Sequence, residues 1–197
     1  MGINLCLLKK FGKVSAIEKD EFAREYAFKV TGVNVKPGSL PSNINFKTSE
    51  FDLICMFDVL EHIENDEKAL NSLKPLLKSG GKLIITVPAY QWLFGKHDKI
   101  HHHYRRYSKQ LLISVASAEK YNIEFVTYFN FFLFPLAVIS KVLDKFIKSR
   151  KSLGSDQPNS LVNFLFYKIF SLERRMLPHL KFPFGTSLMA ILGKQDG

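Results

Sequence analysis

In the first part of the chain, the apolar residues form a short run, then recur at helical spacing, and then form a second short run. Residues 13–17 form an apolar segment that ends at Glu18. Within residues 22–30 the apolar side chains recur at helical spacing behind Asp20, a residue type that suits a helix N-cap. Another short run covers residues 33–35. This order predicts a strand, a helix and a second strand.

The next pattern is a nearly unbroken apolar run over residues 52–57, which is typical of a parallel strand buried on both faces. Asn65 then precedes an amphipathic stretch and is placed to cap a helix. Gly80 and Gly81 predict the end of that helix, because a left-handed backbone costs least at glycine. Residues 82–87 predict the strand that follows.

The second half of the chain continues this alternation. Ser108 is placed to cap a helix, and residues 122–129 predict a strand. Helical spacing continues over residues 132–149 and 159–177, and the apolar end of the segment 183–192 predicts a last strand. Strands that alternate with helices through short links predict an α/β protein with a mostly parallel sheet.

The charge of the chain is unevenly distributed. Residues 1–100 carry 14 lysines and arginines against 12 acids, whereas residues 101–197 carry 14 against 6, so the net charge of +10 lies mainly in the second half. A basic field of this kind attracts nucleic acid, anionic lipid or a phosphorylated substrate without choosing among them. The start of the chain has no secretory signal pattern, which predicts a cytoplasmic protein.

Candidate binding residues follow the predicted strands. Ligands of open α/β sheets bind beyond the carboxyl ends of the strands, which here are marked by Glu18, Ser39, Asp58 and Tyr90. An acid directly after a strand could accept hydrogen bonds from a ribose diol. Acids in such positions also cap helices, so this feature alone leaves both interpretations open.

Two central segments carry a more specific pattern. Residues 51–63 (FDLICMFDVLEHI) and 76–83 (LLKSGGKL) resemble the central motifs of the class I S-adenosylmethionine-dependent methyltransferases. Further segments resemble the sequences of one bacterial subfamily, which is similar to methyltransferase types 11 and 12 and has no assigned substrate. These segments are TVPAY at 86–90, KHD at 96–98, HYRRY at 103–107, YFN at 128–130, LFP at 133–135 and PFGTSL at 183–188. The family's acceptors are diverse, so the resemblance implies a reaction and not a substrate.

The resemblance implies a Rossmann-like α/β fold with a helical insertion before the last strand. Residues 1–130 and 183–194 would form the methyltransferase core, and residues 131–182 a lid or a membrane-facing segment. It also implies S-adenosylmethionine as cofactor and a small-molecule or lipid-linked acceptor.

The resemblance also assigns cofactor contacts. Glu18 would hold the ribose hydroxyls, Ser39 and Leu40 would border the adenine, and Phe57 and Asp58 would line the methionine and adenine side. An aromatic face and a nearby carboxylate suit a sulfonium cation.

One departure from the family concerns the glycine-rich loop. Residues 1–5 resemble the end of that loop, where only Gly2 remains, and the family's first strand is missing. The second and fourth family strands would then flank an unfilled slot. The expectation is a truncated methyltransferase that binds the cofactor poorly, and the alternative is a non-catalytic remnant or binding protein that retains the substrate side.

Polar residues that follow the two motif strands are candidates for acceptor positioning or proton removal. The candidate catalytic residues are His62, His97, Asp98, His103, Tyr104 and Arg106. His62 could equally pack over the sheet at the start of a helix. His97 and His101 have helical i, i+4 spacing and Asp98 could assist a metal, but the neighbours are basic and the spacing matches no known site, so no metal site is predicted.

The aromatic segment from residue 129 onward is too short to cross a bilayer, which takes about 20 apolar residues. Leu136, Ile139 and Leu143 share a helix face, and Lys141 and Lys145 lie on a basic side. This pattern is typical of a helix that lies on an anionic membrane, and a helix that packs on the core or forms a lid would show it too. Nucleic-acid binding is disfavoured because no known module is recognisable.

Overall fold

The computed structural model describes residues 2–146 and 160–195. Its helices are α1 (Ile3–Leu8), α2 (Glu21–Thr31), α3 (Asp66–Leu73), α4 (Lys96–Ile100), α5 (Lys109–Ala118), α6 (Phe134–Phe146) and α7 (Ser160–Met176). Its strands are β1 (Ala16–Glu18), β2 (Val35–Pro37), β3 (Phe51–Phe57), β4 (Leu77–Pro88), β5 (Tyr121–Phe129) and β6 (Ser187–Lys194). Short 3-10 turns lie at Leu60–His62, Lys74–Leu76 and Gln91–Leu93.

Three helices begin where the predicted caps stand. The side chain of Asp20 accepts a hydrogen bond from the N–H of Ala23 at 2.7 Å, and that of Asn65 accepts one from Lys68 at 2.8 Å. Ser108 accepts from the N–H of Leu111 at 3.1 Å. Each bond satisfies a backbone donor that has no partner inside its helix, which is why such residues start helices.

The predicted end of α3 is wrong. The helix stops at Leu73, and Pro75 follows in a 3-10 turn, because proline has no N–H to continue the α-helical ladder. Gly80 does have a left-handed backbone (φ 69°), but it lies inside β4. The register between β3 and β4 shifts at this point, so the glycine pair forms an irregularity within the strand.

Four strands form the main sheet in the order β3-β4-β6-β5. β3 runs parallel to β4, and β6 runs antiparallel to both β4 and β5, so three of the four strands share a direction. β1 and β2 form a separate parallel pair. The fold is therefore the expected Rossmann-like α/β arrangement with mostly parallel strands.

The predicted burial of β3 on both faces is wrong. β3 is the edge of the four-stranded sheet, and Leu53 is 42% exposed while only Met56 of the strand is buried. β1 and β3 belong to different sheets. An edge strand has no neighbour on one side, so side chains that a second strand would cover remain accessible.

The core lies between the inner strands and the helices that cover them. Leu83, Ile85 and Val87 of β4 and Leu188 and Leu192 of β6 are fully buried. Burying a side chain of this size stabilises the fold by roughly 1.5–3 kcal/mol. α3 and α5 add further apolar residues to the same cluster, which holds the carboxyl ends of β3 and β4 in fixed positions.

α6 and α7 lie between β5 and β6 along the chain, where a helical insertion was predicted. The carboxyl group of Glu173 on α7 accepts a hydrogen bond from the N–H of Asn130, which ties α7 to the end of β5. Lys141 was expected on a basic face, but its ammonium group donates to the carbonyl of Phe94 at 2.6 Å. Across the described ranges, no helix is long and apolar enough to cross a bilayer.

Candidate active site

Unusual backbone conformations mark the carboxyl ends of three strands. Asp58 follows β3, Tyr90 follows the end of β4 and Asn130 follows β5, with φ angles of 53°, 61° and 59°. A residue other than glycine rarely adopts a positive φ, and such strain tends to occur at functional sites. Because ligands of open α/β sheets bind beyond the carboxyl ends of the strands, this edge is the candidate active site.

The ends of β3 and β4 are tied together by Asp58. Its N–H donates to the carbonyl of Thr86 at 3.0 Å, and its Oδ1 lies 3.2 Å from the Thr86 hydroxyl. Phe57, the last residue of β3, is half-buried, whereas Asp58 is exposed. The carboxylate and the aromatic ring that were predicted on the cofactor side therefore stand at the strand end.

A loop segment runs alongside the end of β4 and brings distant residues together. The N–H of Tyr107 donates to Pro88 at 2.9 Å, and the N–H of Tyr90 donates to Tyr107 at 2.8 Å. The N–H of Tyr104 donates to the carbonyl of Glu61 at 2.8 Å. As a result, the rings of His62 and His103 meet edge to face with their centroids 4.5 Å apart.

Asp98, Arg106 and His103 form one hydrogen-bonded group. The guanidinium of Arg106 donates from Nε and Nη2 to the two carboxylate oxygens of Asp98, at 2.7 and 3.0 Å. His103 Nδ1 lies 3.0 Å from Asp98 Oδ1, and the N–H of Gly95 donates to Oδ2 at 2.8 Å. Burial opposes ionisation of Asp98, but these donors outweigh it and lower its pKa. Asp98 therefore orients His103 and Arg106 from beneath the surface.

Glu61 is a site residue that the sequence reasoning missed. It is 1% exposed, and burial, with smaller effects of Asp58 and Asp98, raises its pKa to about 7. The neighbouring His62 has a lowered pKa because its imidazole, although it reaches the surface, is partly removed from water, and the nearby His103 adds to this effect. The one feature of the sequence that could have indicated Glu61 is its position directly before His62. It was not sufficient, because glutamate side chains are usually exposed.

Two other candidate catalytic residues stand apart from this group. His97 is exposed on α4, where its ring lies 4.3 Å from the ring of His101. Tyr104 contributes its backbone N–H to the loop, but its side chain is 54% exposed. The structure thus brings His62, His103, Asp98 and Arg106 together and leaves these two side chains at the rim.

The remaining cofactor candidates lie on the β1–β2 side. Glu18 ends β1 with an exposed side chain, whose Oε1 accepts from the N–H of Asp20 at 2.9 Å. Ser39 exchanges backbone hydrogen bonds of 2.9 Å with Asn43, and Leu40 packs against the core. These placements leave the carboxylate of Glu18 accessible at a strand end.

Gly2 does not reach that edge. It has a left-handed backbone (φ 86°), and a side chain there would lie 3.0 Å from Thr31 Cγ2 and within 4 Å of Ala27. Thr31 ends α2, just before β2 begins, so Gly2 packs at the opposite edge of the β1–β2 pair. Gly2 therefore lies away from Glu18, and its contact with the cofactor stays a prediction.

A cluster of aromatic rings, here called the aromatic wall, lies next to the polar group formed by His62, His103, Asp98 and Arg106. Tyr90 stacks on Tyr128 with ring centroids 5.2 Å apart, and it also contacts Trp92 at 5.7 Å and Phe134 at 5.4 Å. Burial and Tyr128 raise the pKa of the Tyr90 hydroxyl, so it stays protonated. The sequence indicates Tyr90 as a strand end but does not indicate the aromatic wall, because its members come from three separate segments.

The sheet order and the helices before the last strand are those of the class I S-adenosylmethionine-dependent methyltransferase fold. Residues 3–130 match the family model described as "Methyltransferase domain", and the chain belongs to that family.

Solved structures share this fold at low sequence identity. An S-adenosylmethionine-dependent methyltransferase from Mesorhizobium loti aligns with a TM-score of 0.63 and 11% identity, over 98% of this chain and 86% of its own. One from Archaeoglobus fulgidus aligns with a TM-score of 0.59 and 11% identity, over 97% and 80%.

A curated relative shares only part of its length. An uncharacterised protein of Methanocaldococcus jannaschii is 31% identical over 107 residues, which are 52% of this chain and 46% of that protein. The match therefore spans about half the length of that relative.

Proposed function

We propose that this chain binds S-adenosylmethionine and transfers its methyl group to a small-molecule or lipid-linked acceptor. The observation that carries the proposal is the polar group of His62, His103, Asp98 and Arg106 at the same strand ends as Phe57 and Asp58. Family membership supports the reaction, and the aromatic wall beside the site supports an acceptor with an apolar part.

The residues at the strand ends fit parts of the cofactor. The exposed carboxylate of Glu18 has the acceptor atoms that a ribose diol requires. Phe57 and Asp58 offer an aromatic face and a negative charge, which suit a sulfonium. When bound, S-adenosylmethionine supplies an electrophilic methyl group that an acceptor oxygen or nitrogen displaces.

The chain's own residues would position the acceptor and take up its proton. His62 lies at the surface and its pKa is lowered, so its imidazole is neutral near pH 7 and can accept a proton. Asp98 fixes the ring of His103 in one orientation, and Arg106 holds Asp98 ionised. Alignment of the two reacting centres can lower the barrier by about 7–11 kcal/mol, and a base adds about 10²–10⁴-fold in rate.

A second candidate function is a non-catalytic protein that retains the acceptor side of the fold. The observation in its favour is the division of the strands into two sheets, since β1 carries Glu18 while β3 carries Phe57. A cofactor that contacts both would have to bridge two strands that share no backbone hydrogen bonds in the described residues.

Calorimetric titration with S-adenosylmethionine distinguishes the two candidates. On the first, we expect measurable binding that is weaker than ordinary micromolar affinity, because β1 and β3 lie in separate sheets. Glu18→Gln weakens it about tenfold further, because bonds to a charged acceptor are lost. Glu25→Gln, which changes an exposed acid within α2, serves as the matched control and leaves binding unchanged. Absence of binding by the folded wild-type chain contradicts methyl transfer and supports the second candidate.

A further inference from the structure

Three side chains with metal-binding atoms meet beside the strand ends. One ligand atom each from Glu61, His62 and His103 lies within 4.8 Å of the other two. Glu61 and His62 belong to the turn after β3, and His103 follows α4, so tertiary contacts bring them together. We propose that Glu61, His62 and His103 form a binding site for one divalent transition-metal ion.

The carboxyl group of Glu61 lacks a partner that an ion would supply. Its Oε2 is buried and has no hydrogen-bond partner among the residues that the structure describes. Leaving a buried polar atom without a partner is unfavourable, because folding removes the water that would otherwise bind it. Such atoms are few in folded proteins, and a bound ion is one explanation for those that occur.

His103 is oriented as metal-binding histidines commonly are. Its Nδ1 faces Asp98 Oδ1 at 3.0 Å, which leaves Nε2 as the ring nitrogen that can turn to an ion. Histidines that bind metals usually donate the other ring N–H to a carboxylate or a carbonyl. The ring of His62 lies near the backbone of His101. The imidazole of His103 is thus held on one side and available on the other.

The donor set indicates which ions suit the site. Two imidazoles and one carboxylate are the protein ligands of several catalytic zinc sites, and imidazole also suits cobalt and iron. Asp58 adds negative charge close to Glu61 and His62. This set is separate from His97 and His101. Asp98, the third residue beside that pair, has its carboxylate bound to Arg106.

Three protein ligands leave at least one coordination position open on a four-coordinate ion. If the proposed methyl transfer holds, on which this step alone rests, an oxygen of the acceptor would occupy that position. A bound ion lowers the pKa of a coordinated hydroxyl, so in the metal-bound form the ion, in place of His62 as a base, would favour the nucleophilic form. The metal-binding proposal itself depends on neither cofactor nor acceptor.

Cobalt binding to the full chain, stripped of metal with a chelator, tests the site directly. We expect one Co²⁺ per chain, visible ligand-field absorption, and displacement of Co²⁺ by Zn²⁺. His62→Ala, His103→Ala and Glu61→Gln each weaken binding at least about tenfold. His179→Ala removes an exposed histidine outside the cluster and is expected to leave the affinity unchanged.

Circular dichroism establishes that each variant is folded before its affinity is counted. His62 is exposed, so His62→Ala is the variant expected to keep the fold. No bound Co²⁺ in the folded wild-type chain overturns the proposal, and so does an affinity that folded His62→Ala and His103→Ala leave unchanged. Either failure leaves the titration with S-adenosylmethionine unaffected, so the two proposals stand or fall separately.

Discussion

At the scale of single residues, the geometry of the candidate site depends on the ion pair between Asp98 and Arg106. The carboxylate is 1% exposed and its two oxygens accept two N–H groups of one guanidinium, so neither charge has much contact with water. Removing one partner of such a pair leaves the other charge enclosed without compensation. The same carboxylate also orients His103.

Asp98→Asn is therefore expected to lower the free energy of unfolding by roughly 3–5 kcal/mol, as the loss of one partner of a buried ion pair does. Urea unfolding measures the change. Asp52→Asn is the control, because Asp52 pairs with Lys78 on the exposed surface and its loss should not shift the unfolding midpoint measurably. Equal stability of Asp98→Asn and the wild type would show that the Arg106 charge is solvated.

Part of the candidate site could be predicted from single residue types. His62, His103, Asp98 and Arg106 attract attention as polar residues that follow strand ends. Their pairing could not be predicted, because it depends on the loop that runs beside β4. The burial of Glu61 could not be predicted for the same reason. It depends on the contact with the segment around Tyr104, which no periodicity in the sequence indicates.

At the scale of elements, the segment that leads into β6 passes unusually close to the end of β5. A side-chain carbon added at Gly185 would lie 2.2 Å from the carbonyl oxygen of Phe129 and 2.9 Å from its carbonyl carbon. Backbone atoms cannot move aside as a flexible side chain can. The absence of a side chain at Gly185 is thus what allows the two segments to approach.

Gly185→Ala is expected to destabilise the protein by about 1–3 kcal/mol, the usual cost of overpacking, and to disturb the neighbouring Tyr90 ring. Thermal unfolding and the near-ultraviolet circular dichroism of the aromatic residues report the two effects. Gly12→Ala provides the comparison, since nothing lies within 4 Å of a side chain added there. If both variants unfold like the wild type, the close approach is not present in solution.

The elements that could be predicted are those with local causes. The caps at Asp20, Asn65 and Ser108 act within one helical turn, and all three helices begin there. The exposure of β3 could not be predicted, because an apolar run looks the same at the edge of a sheet as in its centre. The predicted end of α3 was also wrong, because Pro75 ends the α-helical hydrogen bonding before the two glycines are reached.

At the scale of the whole molecule, α6 and α7 present a large apolar surface. Leu136 and Ile139 on α6 are each 54% exposed, and the rings of Phe164 and Tyr167 on α7 are also exposed. The second half of the chain carries most of the net positive charge. Apolar side chains beside basic residues are typical of a surface that lies on anionic lipid. We propose peripheral contact of this kind, which would suit a lipid-linked acceptor.

Co-sedimentation with vesicles tests this contact. We expect binding to anionic vesicles that weakens as salt is raised, and less binding to neutral ones. Ile139→Ser should reduce it through lost apolar area, whereas Leu111→Ser, an equivalent change at an exposed leucine of α5, should not. A chain that stays in the supernatant at low salt would show that the surface serves another purpose.

The inner position of β6 also bears on how the sheet forms during translation. β4 ends at Pro88 and β5 at Phe129, yet the strand that pairs with both begins at Ser187. The ribosome makes α6 and α7 before it makes that strand. Long-range pairing of this kind is slow, and strand edges that wait for a partner are prone to associate with other chains. The nascent chain therefore carries two unpaired strand edges, one on β4 and one on β5, until both helices have been made.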